Sequence, residues 1–362
     1  MTRMTATTPD AFADRLLESA RGAFEILTMY IGVRLGYYDA LADGKALTST
    51  ELATATRTVE RYAREWLEQQ TVAGFLEVED ERAEPKSRRF RLPPGHAEVL
   101  TQTESLNYYA PLARLVVGAA SPIERVLEAY RKGGGVRYGD YGPDVIEGQA
   151  GVNRAMFLQQ LGGEWLPAIP DVHARLSSDP PARVADVGCG AGWSSIGMAL
   201  SYPKIRVDGF DLDEASADLA KANAAAAGLG DRVSFAVRDA GDPKLAGQYD
   251  LAIALECLHD MAQPVSALRA MRQLTGDRGA VVIVDERVGE TFTAEGTGVE
   301  WLMYGWSVLH CLPAGMADTP SAETGTVMRP ETLRRYAREA GFRELEILPI
   351  DHLFFRFYRL RA

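Results

Sequence analysis

Two stretches of the chain carry side chains whose types and spacing suit chemistry. In the first, the apolar segment Ala182-Arg183-Val184-Ala185-Asp186-Val187 runs into a turn with Gly188, Gly190 and Gly192. Glycine adopts backbone conformations with positive φ and puts no side chain between the turn and a ligand. Asp186 stands just before the turn, and such turns cradle cofactors at the C-terminal edge of a parallel sheet. A second apolar segment, Ile205–Phe210, ends in Asp211-Leu212, where a carboxylate would accept hydrogen bonds from ribose hydroxyls. A third, Val233–Val237, leads to Asp239-Ala240, placed to read an adenine amino group. In the second stretch, Tyr249–Ala254 predicts a strand followed by Leu255-Glu256-Cys257-Leu258-His259-Asp260. A histidine at that strand's end faces the ligand crevice, and its ordinary pKa of about 6.5 suits a general base. Asp260 either orients the ring or caps the next helix.

These residues need a sheet to position them. Strands and helices alternate from Arg183 to Val288, which predicts a doubly wound parallel sheet. Glu344–Pro349 and Phe354–Tyr358 read as two further strands forming an antiparallel edge. Trp193 stands where a dinucleotide fingerprint would carry its third small residue, which argues against NAD or FAD. Upstream, Phe12, Leu16, Leu17, Phe24, Leu27 and Ile31 recur at helical spacing over residues 11–42. Thr48 or Ser49 caps a helix with Glu51 in its first turn, and a second helix runs from Val59 to Ala73. Phe75–Val78 and Arg89–Leu92 complete a winged-helix pattern. Residues 59–73 hold Arg61 and Arg64 against Glu60, Glu65 and Glu68, a net charge of 2 − 3 = −1. A helix that reads the major groove needs the opposite balance, so the module is expected to pack and dimerise. Residues 104–176 are helical, broken at Gly133–Gly135 and Tyr138–Pro143, a segment that is either a lid or a linker. The expected division is 1–100, 101–176 and 177–362.

The order of acidic strand end, alternate glycines, second acid and Asp-Ala resembles the class I S-adenosylmethionine (SAM) methyltransferases. With the winged helix and Leu-His-Asp after the fourth strand, the chain resembles the plant-type small-molecule O-methyltransferases and related bacterial enzymes. That resemblance implies a Rossmann-like seven-stranded α/β sheet with a mostly helical N-terminal domain. It also implies SAM as cofactor, with Asp186, Gly188, Gly190, Gly192, Asp211, Leu212, Asp239, Ala240 and Glu256 around it, and a homodimer held by the N-terminal domain. His259 becomes the base that deprotonates a hydroxyl, beside Asp260, with Glu286 as its supporting glutamate. A further family glutamate would fall near Met328, a departure from the pattern that bears on phenol substrates. Tyr141, Trp301, Tyr304 and His310 are the expected acceptor-facing residues. No metal site is assigned. Two alternatives stay open. His259 and His310 with one carboxylate would hold a non-haem metal for C-methylation of a 2-oxo acid, or the chain is a SAM-sensing winged-helix regulator.

Composition narrows the partners. The net charge is −11 over 362 residues, with 46% apolar residues, and disfavours nucleic acid or an anionic membrane as partner. Met1–Asp10 has no apolar stretch of the signal-peptide kind, and no apolar run is long enough to span a bilayer. Cys189, Cys257 and Cys311 are spaced for neither a disulfide framework nor a zinc cluster, so a reducing cytoplasm is expected.

Overall fold

Helix α1 (Pro9–Leu35) begins where Thr8 Oγ1 accepts a hydrogen bond from the Ala11 N–H, with proline at the first position. It ends at Gly36, whose φ of 69° is a left-handed stop. The computed structural model describes residues 8–239, 244 and 246–362, in two compact units divided between Val117 and Gly118.

In the first unit α1 is followed by α2 (Tyr37–Ala40), α3 (Ser49–Thr56) and α4 (Glu60–Val72). A capping box starts α3: Thr48 Oγ1 accepts from the Glu51 N–H, and Glu51 returns a carboxylate to the Thr48 N–H. The short ribbon β1 (Glu77–Val78) and β2 (Phe90–Arg91) pairs antiparallel, then come α5 (Pro94–Thr101) and α6 (Pro111–Ala120), within which the division falls. Tyr37, Tyr38, Leu41, Leu52, Leu67, Phe90 and Leu92 form the core. Gly32 is required where α1 crosses Trp66, because a Cβ there would collide with the indole. The other side of α1 leaves Phe12, Leu16, Leu17, Phe24, Leu27, Ile31 and Leu35 exposed. On α4, Arg61 and Arg64 pair with Glu65 and Glu60 of the same helix.

The second unit opens with α7 (Ile123–Lys132), a 3-10 turn at Tyr138–Tyr141, α8 (Pro143–Met156) continuing in wider π-type turns to Trp165, and α9 (Pro170–Ser177). There follow β3 (Arg183–Val187), α10 (Trp193–Ser201), β4 (Arg206–Asp211), α11 (Glu214–Ala226), β5 (Val233–Val237) and β6 (Leu251–Leu255). After α12 (Pro264–Thr275) and β7 (Ala280–Glu286) come α13 (Glu300–Trp306), π-type turns at Ser307–Cys311, α14 (Leu312–Gly315) and α15 (Pro330–Glu339). The chain finishes with β8 (Glu344–Ile347) and β9 (Phe355–Arg361).

The sheet order is β5-β4-β3-β6-β7-β9-β8, parallel from β5 to β7, with β9 antiparallel to both neighbours. This is the expected seven-stranded doubly wound sheet. Every residue of β6 and β7 is buried, as strands covered on both faces require. Strand order reverses between β3 and β6, so their C-terminal ends open the crevice where this architecture binds ligands.

Candidate active site

The glycine turn after β3 shows why each glycine is there. All three have positive φ: 70° at Gly188, 51° at Gly190 and 80° at Gly192. A Cβ on Gly188 would stand 2.7 Å from Cys257 Sγ, and one on Gly192 would stand 2.6 Å from the Phe235 ring. A Cβ on Gly190 would meet nothing within 4 Å, so this glycine borders open space. Asp186 turns toward α10, where its Oδ2 accepts from the Ser194 and Ser195 hydroxyls, both at 2.6 Å. Burial raises its pKa to about 6 against those bonds. Asp211 closes the other wall. Its Oδ2 accepts from the Gly190 N–H at 2.8 Å and its Oδ1 from the Asp213 N–H at 2.9 Å. A carboxylate offers about four lone-pair sites, so it can brace the turn and still meet a diol. Leu212 and Asp239 are exposed beside it, and Ala240 lies outside the described residues.

Across the switch point, Glu256 follows β6 with a φ of 53°, and its N–H donates to the Val284 carbonyl at 2.8 Å. Gln149 Nε2 of α8 donates to Glu256 Oε2 at 3.2 Å. A 3-10 turn at Leu258–Asp260 then presents His259, which is buried. Its Nδ1 lies 2.8 Å from Asp285 Oδ1, which also accepts the Glu286 N–H. Its Nε2 lies 3.2 Å from Asp260 Oδ1. Burial disfavours the imidazolium, but the carboxylates of Asp285 and Asp260 outweigh it and hold the ring well above its ordinary pKa. The carboxylate hydrogen-bonded to the ring is Asp285, where the sequence reading expected Glu286. Neighbouring residues of a strand point to opposite faces, and Asp285 takes the face toward His259. Glu286 is buried with Oε2 unpartnered.

His310 is buried in the Ser307–Cys311 turns, edge-on to Tyr141 at 4.4 Å and to Tyr138 at 5.5 Å. Burial lowers its pKa, and its Nε2 has no hydrogen-bond partner. The 133–143 segment is docked on this helical stretch. The Val136 N–H donates to the Pro313 carbonyl at 3.0 Å, the Tyr141 hydroxyl donates to the Leu309 carbonyl at 3.0 Å, and a Cβ on Gly135 would collide with Pro313. Tyr141 and His310 are thus brought together. Trp301 is 77% exposed, and Tyr304 accepts from Arg329 Nη2 at 3.1 Å. Met328, where the resemblance would have a glutamate, packs in the apolar core. The ligand set imagined for a metal is also corrected. Among the described residues, His259, Asp260 and Cys311 bring ligand-capable atoms within 4.8 Å of one another, and His310 is not part of that group.

Asp285, Cys311, Tyr138 and Gln149 went unforeseen. Only Asp285 left a signal, an acid at the end of the apolar run Val281–Val284.

A methyltransferase-domain family model matches residues 178–329, and an Rv2258c-like winged HTH domain model matches residues 23–102. The ubiquinone biosynthesis O-methyltransferase of Nitrosospira multiformis is 30% identical over 187 residues, 50% of this chain and 70% of that protein. The enzyme of the same name from Marinobacter nauticus is 32% identical over 168 residues, 46% of this chain and 65% of its own length. Ajmaline N-methyltransferase of Rauvolfia serpentina is 30% identical over 115 residues, 31% of this chain and 39% of its own length. The matched stretch therefore spans less than two thirds of the last two proteins. Among solved structures, human N-acetylserotonin methyltransferase shares the fold with a TM-score of 0.67 at 18% identity, over 99% of this chain and 100% of that one. Mitomycin 7-O-methyltransferase does so with a TM-score of 0.68 at 17% identity, over 98% of both chains. The chain belongs to the SAM-dependent methyltransferases and carries an N-terminal winged-helix domain.

Proposed function

We propose that this chain methylates a hydroxyl group of a small, partly aromatic molecule, with His259 as the general base. The observation that carries this reading is the pairing of His259 Nδ1 with Asp285 Oδ1 at 2.8 Å, at the crevice end of β6. That bond fixes the ring, so Nε2, 3.2 Å from Asp260 Oδ1, is the nitrogen to take the acceptor's proton, and the carboxylates of Asp285 and Asp260 stabilise the imidazolium that forms. The residues around the glycine turn fit SAM. Gly190 borders open space, and Asp211 keeps lone pairs for ribose hydroxyls. When bound, SAM supplies a methyl group on a positively charged sulfur, which is already a good leaving group. Tyr138 and Tyr141 pack edge-on against His310, an aromatic cluster suited to an aromatic acceptor. The test is methyl transfer from labelled SAM to a panel of catechols and phenols, in wild type and His259→Ala. Unchanged turnover in the variant would remove His259 from the chemistry.

The grouping of His259, Asp260 and Cys311 favours a second reading, in which a cation held there assists C-methylation of a 2-oxo acid. Dialysis against a chelator separates the two readings. The base reading expects undiminished turnover, and the metal reading expects loss that added iron or zinc restores.

The exposed apolar face of α1 supports a homodimer, since patches of that extent mark interfaces. Light scattering on the intact chain checks this. The arginines of α4 lie on its own glutamates, which supports a small-molecule enzyme over a DNA-reading regulator. Three free cysteines, and no described helix long and apolar enough to cross a membrane, support a cytoplasmic setting.

A further inference from the structure

Glu256 and Glu286 have no task in the base chemistry. They stand at the ends of neighbouring strands, β6 and β7, where Leu255 is registered against Val284. Glu286 is 7% exposed, and its Oε2 has no hydrogen-bond partner. Glu256 is held by Gln149 and Asn153 of α8, and its Oε1 is buried without a partner. Glu286 feels the charge of Glu256, both feel that of Asp285, and the cationic group that both feel is His259. A buried acceptor with no donor is a recurrent mark of a missing ligand atom or proton.

We propose that Glu256 Oε1 and Glu286 Oε2 form a subsite for a primary ammonium group, a proposal that rests on the methyltransferase reading of the same crevice. An ammonium carries three N–H donors and one positive charge, which matches two orphaned acceptors in an acidic wall. A neutral ring would leave both oxygens unsatisfied, and a carboxylate would be repelled. Burial, with the charge of Asp285 near both and that of Glu256 near Glu286, pushes both carboxyls above the usual glutamate range. The empty pair therefore retains a proton, which leaves to solvent as the ammonium enters and both carboxylates become ionised.

Two molecules could bring this group: the cofactor, through the α-ammonium of its amino-acid tail, or an acceptor that carries an amine. Calorimetry on the full chain, wild type and Glu286→Gln, separates them. The probes are S-adenosylhomocysteine, 5′-methylthioadenosine (which lacks the tail), tyramine and 4-ethylphenol. Tenfold or greater weakening of S-adenosylhomocysteine with methylthioadenosine unchanged supports the subsite and assigns it to the cofactor. The same weakening of tyramine alone, with 4-ethylphenol unchanged, supports it and assigns it to the acceptor. Binding of either amine should release a proton, read as a heat that differs between phosphate and Tris buffers, and this release should vanish in the variant. Glu256→Gln is the second variant if Glu286→Gln does not fold. Unaltered affinities for all four probes in a folded variant overturn the subsite. Failure of wild type to bind either adenosine compound would instead sink the methyltransferase reading. The tyramine arm, run without cofactor, then still decides the subsite.

Discussion

The two sides of the switch point are built on different terms. On the β3–β4 side, Asp211 has a backbone amide on each oxygen, and Asp186 has two serine hydroxyls on one of its oxygens. On the β6–β7 side, Glu256 Oε1, Asp260 Oδ1, Asp285 Oδ2 and Glu286 Oε2 are all buried without a hydrogen-bond partner. His310 Nε2 is in the same state. An unsatisfied buried polar group costs about 1–3 kcal/mol. The first side is therefore nearly finished before a ligand arrives, with Asp186 Oδ1 its one buried oxygen without a partner among the described residues, and the second, with four such oxygens, is held in a state that a ligand or a proton completes. In the proposed reading, rigidity belongs to the side that would hold the invariant part of the cofactor. Unmet polarity belongs to the side where the proposed base stands.

The largest expected effect lies on the unfinished side. His259→Ala should lower kcat by roughly 10²–10⁴ while S-adenosylhomocysteine affinity by calorimetry stays within about twofold of wild type. A comparable fall in affinity would break the division of labour. On the finished side, Asp211→Ala should weaken S-adenosylhomocysteine by about 1.5–3 kcal/mol, roughly 10- to 150-fold, with kcat at saturation little changed.

Asp285→Asn sharpens the contrast through pH. A histidine base works only when neutral, and Asp285 and Asp260 hold the pKa of His259 above the ordinary value. Wild-type kcat should therefore climb with pH beyond the usual histidine range. Removing the Asp285 charge lowers that pKa, so the rising limb should move toward lower pH by roughly one to three units. A limb that stays in place would mean another group titrates. The smallest effect is expected at Gly190. Alanine there must adopt a φ of 51°, costing roughly 1–2 kcal/mol in thermal unfolding, with no steric clash. Gly192→Ala pays that strain and also strikes Phe235, adding about 1–3 kcal/mol. Equal losses at the two positions would contradict the distinction between an open and a packed glycine.

What could be read from the residues follows the same line. Asp211 was legible because its partners, Gly190 and Asp213, lie in the adjoining strand-turn units, where local pattern speaks. The capping box at Thr48 and the antiparallel finish at β8 and β9 were legible for the same reason. Asp285 and Glu286 are neighbours in one strand, and which of them reaches His259 depends on pleat phase at the strand's end. That phase is set by pairing with β9, from Val281 against Leu360 to Glu286 against Phe355. The environment of Glu256 depends on Gln149, far away in sequence, and that of His310 on Tyr138 and Tyr141. Contacts of that range leave no periodicity to detect.

The docking of the 133–143 segment on the 307–315 stretch also bears on redesign. Gly135 has no room for a Cβ against Pro313, and Tyr141 holds the main chain at Leu309. Directed evolution toward new acceptors that varies one of these segments alone will mostly sample broken docking. Libraries that vary the two together, with Gly135 and Pro313 kept constant, will sample altered pockets instead.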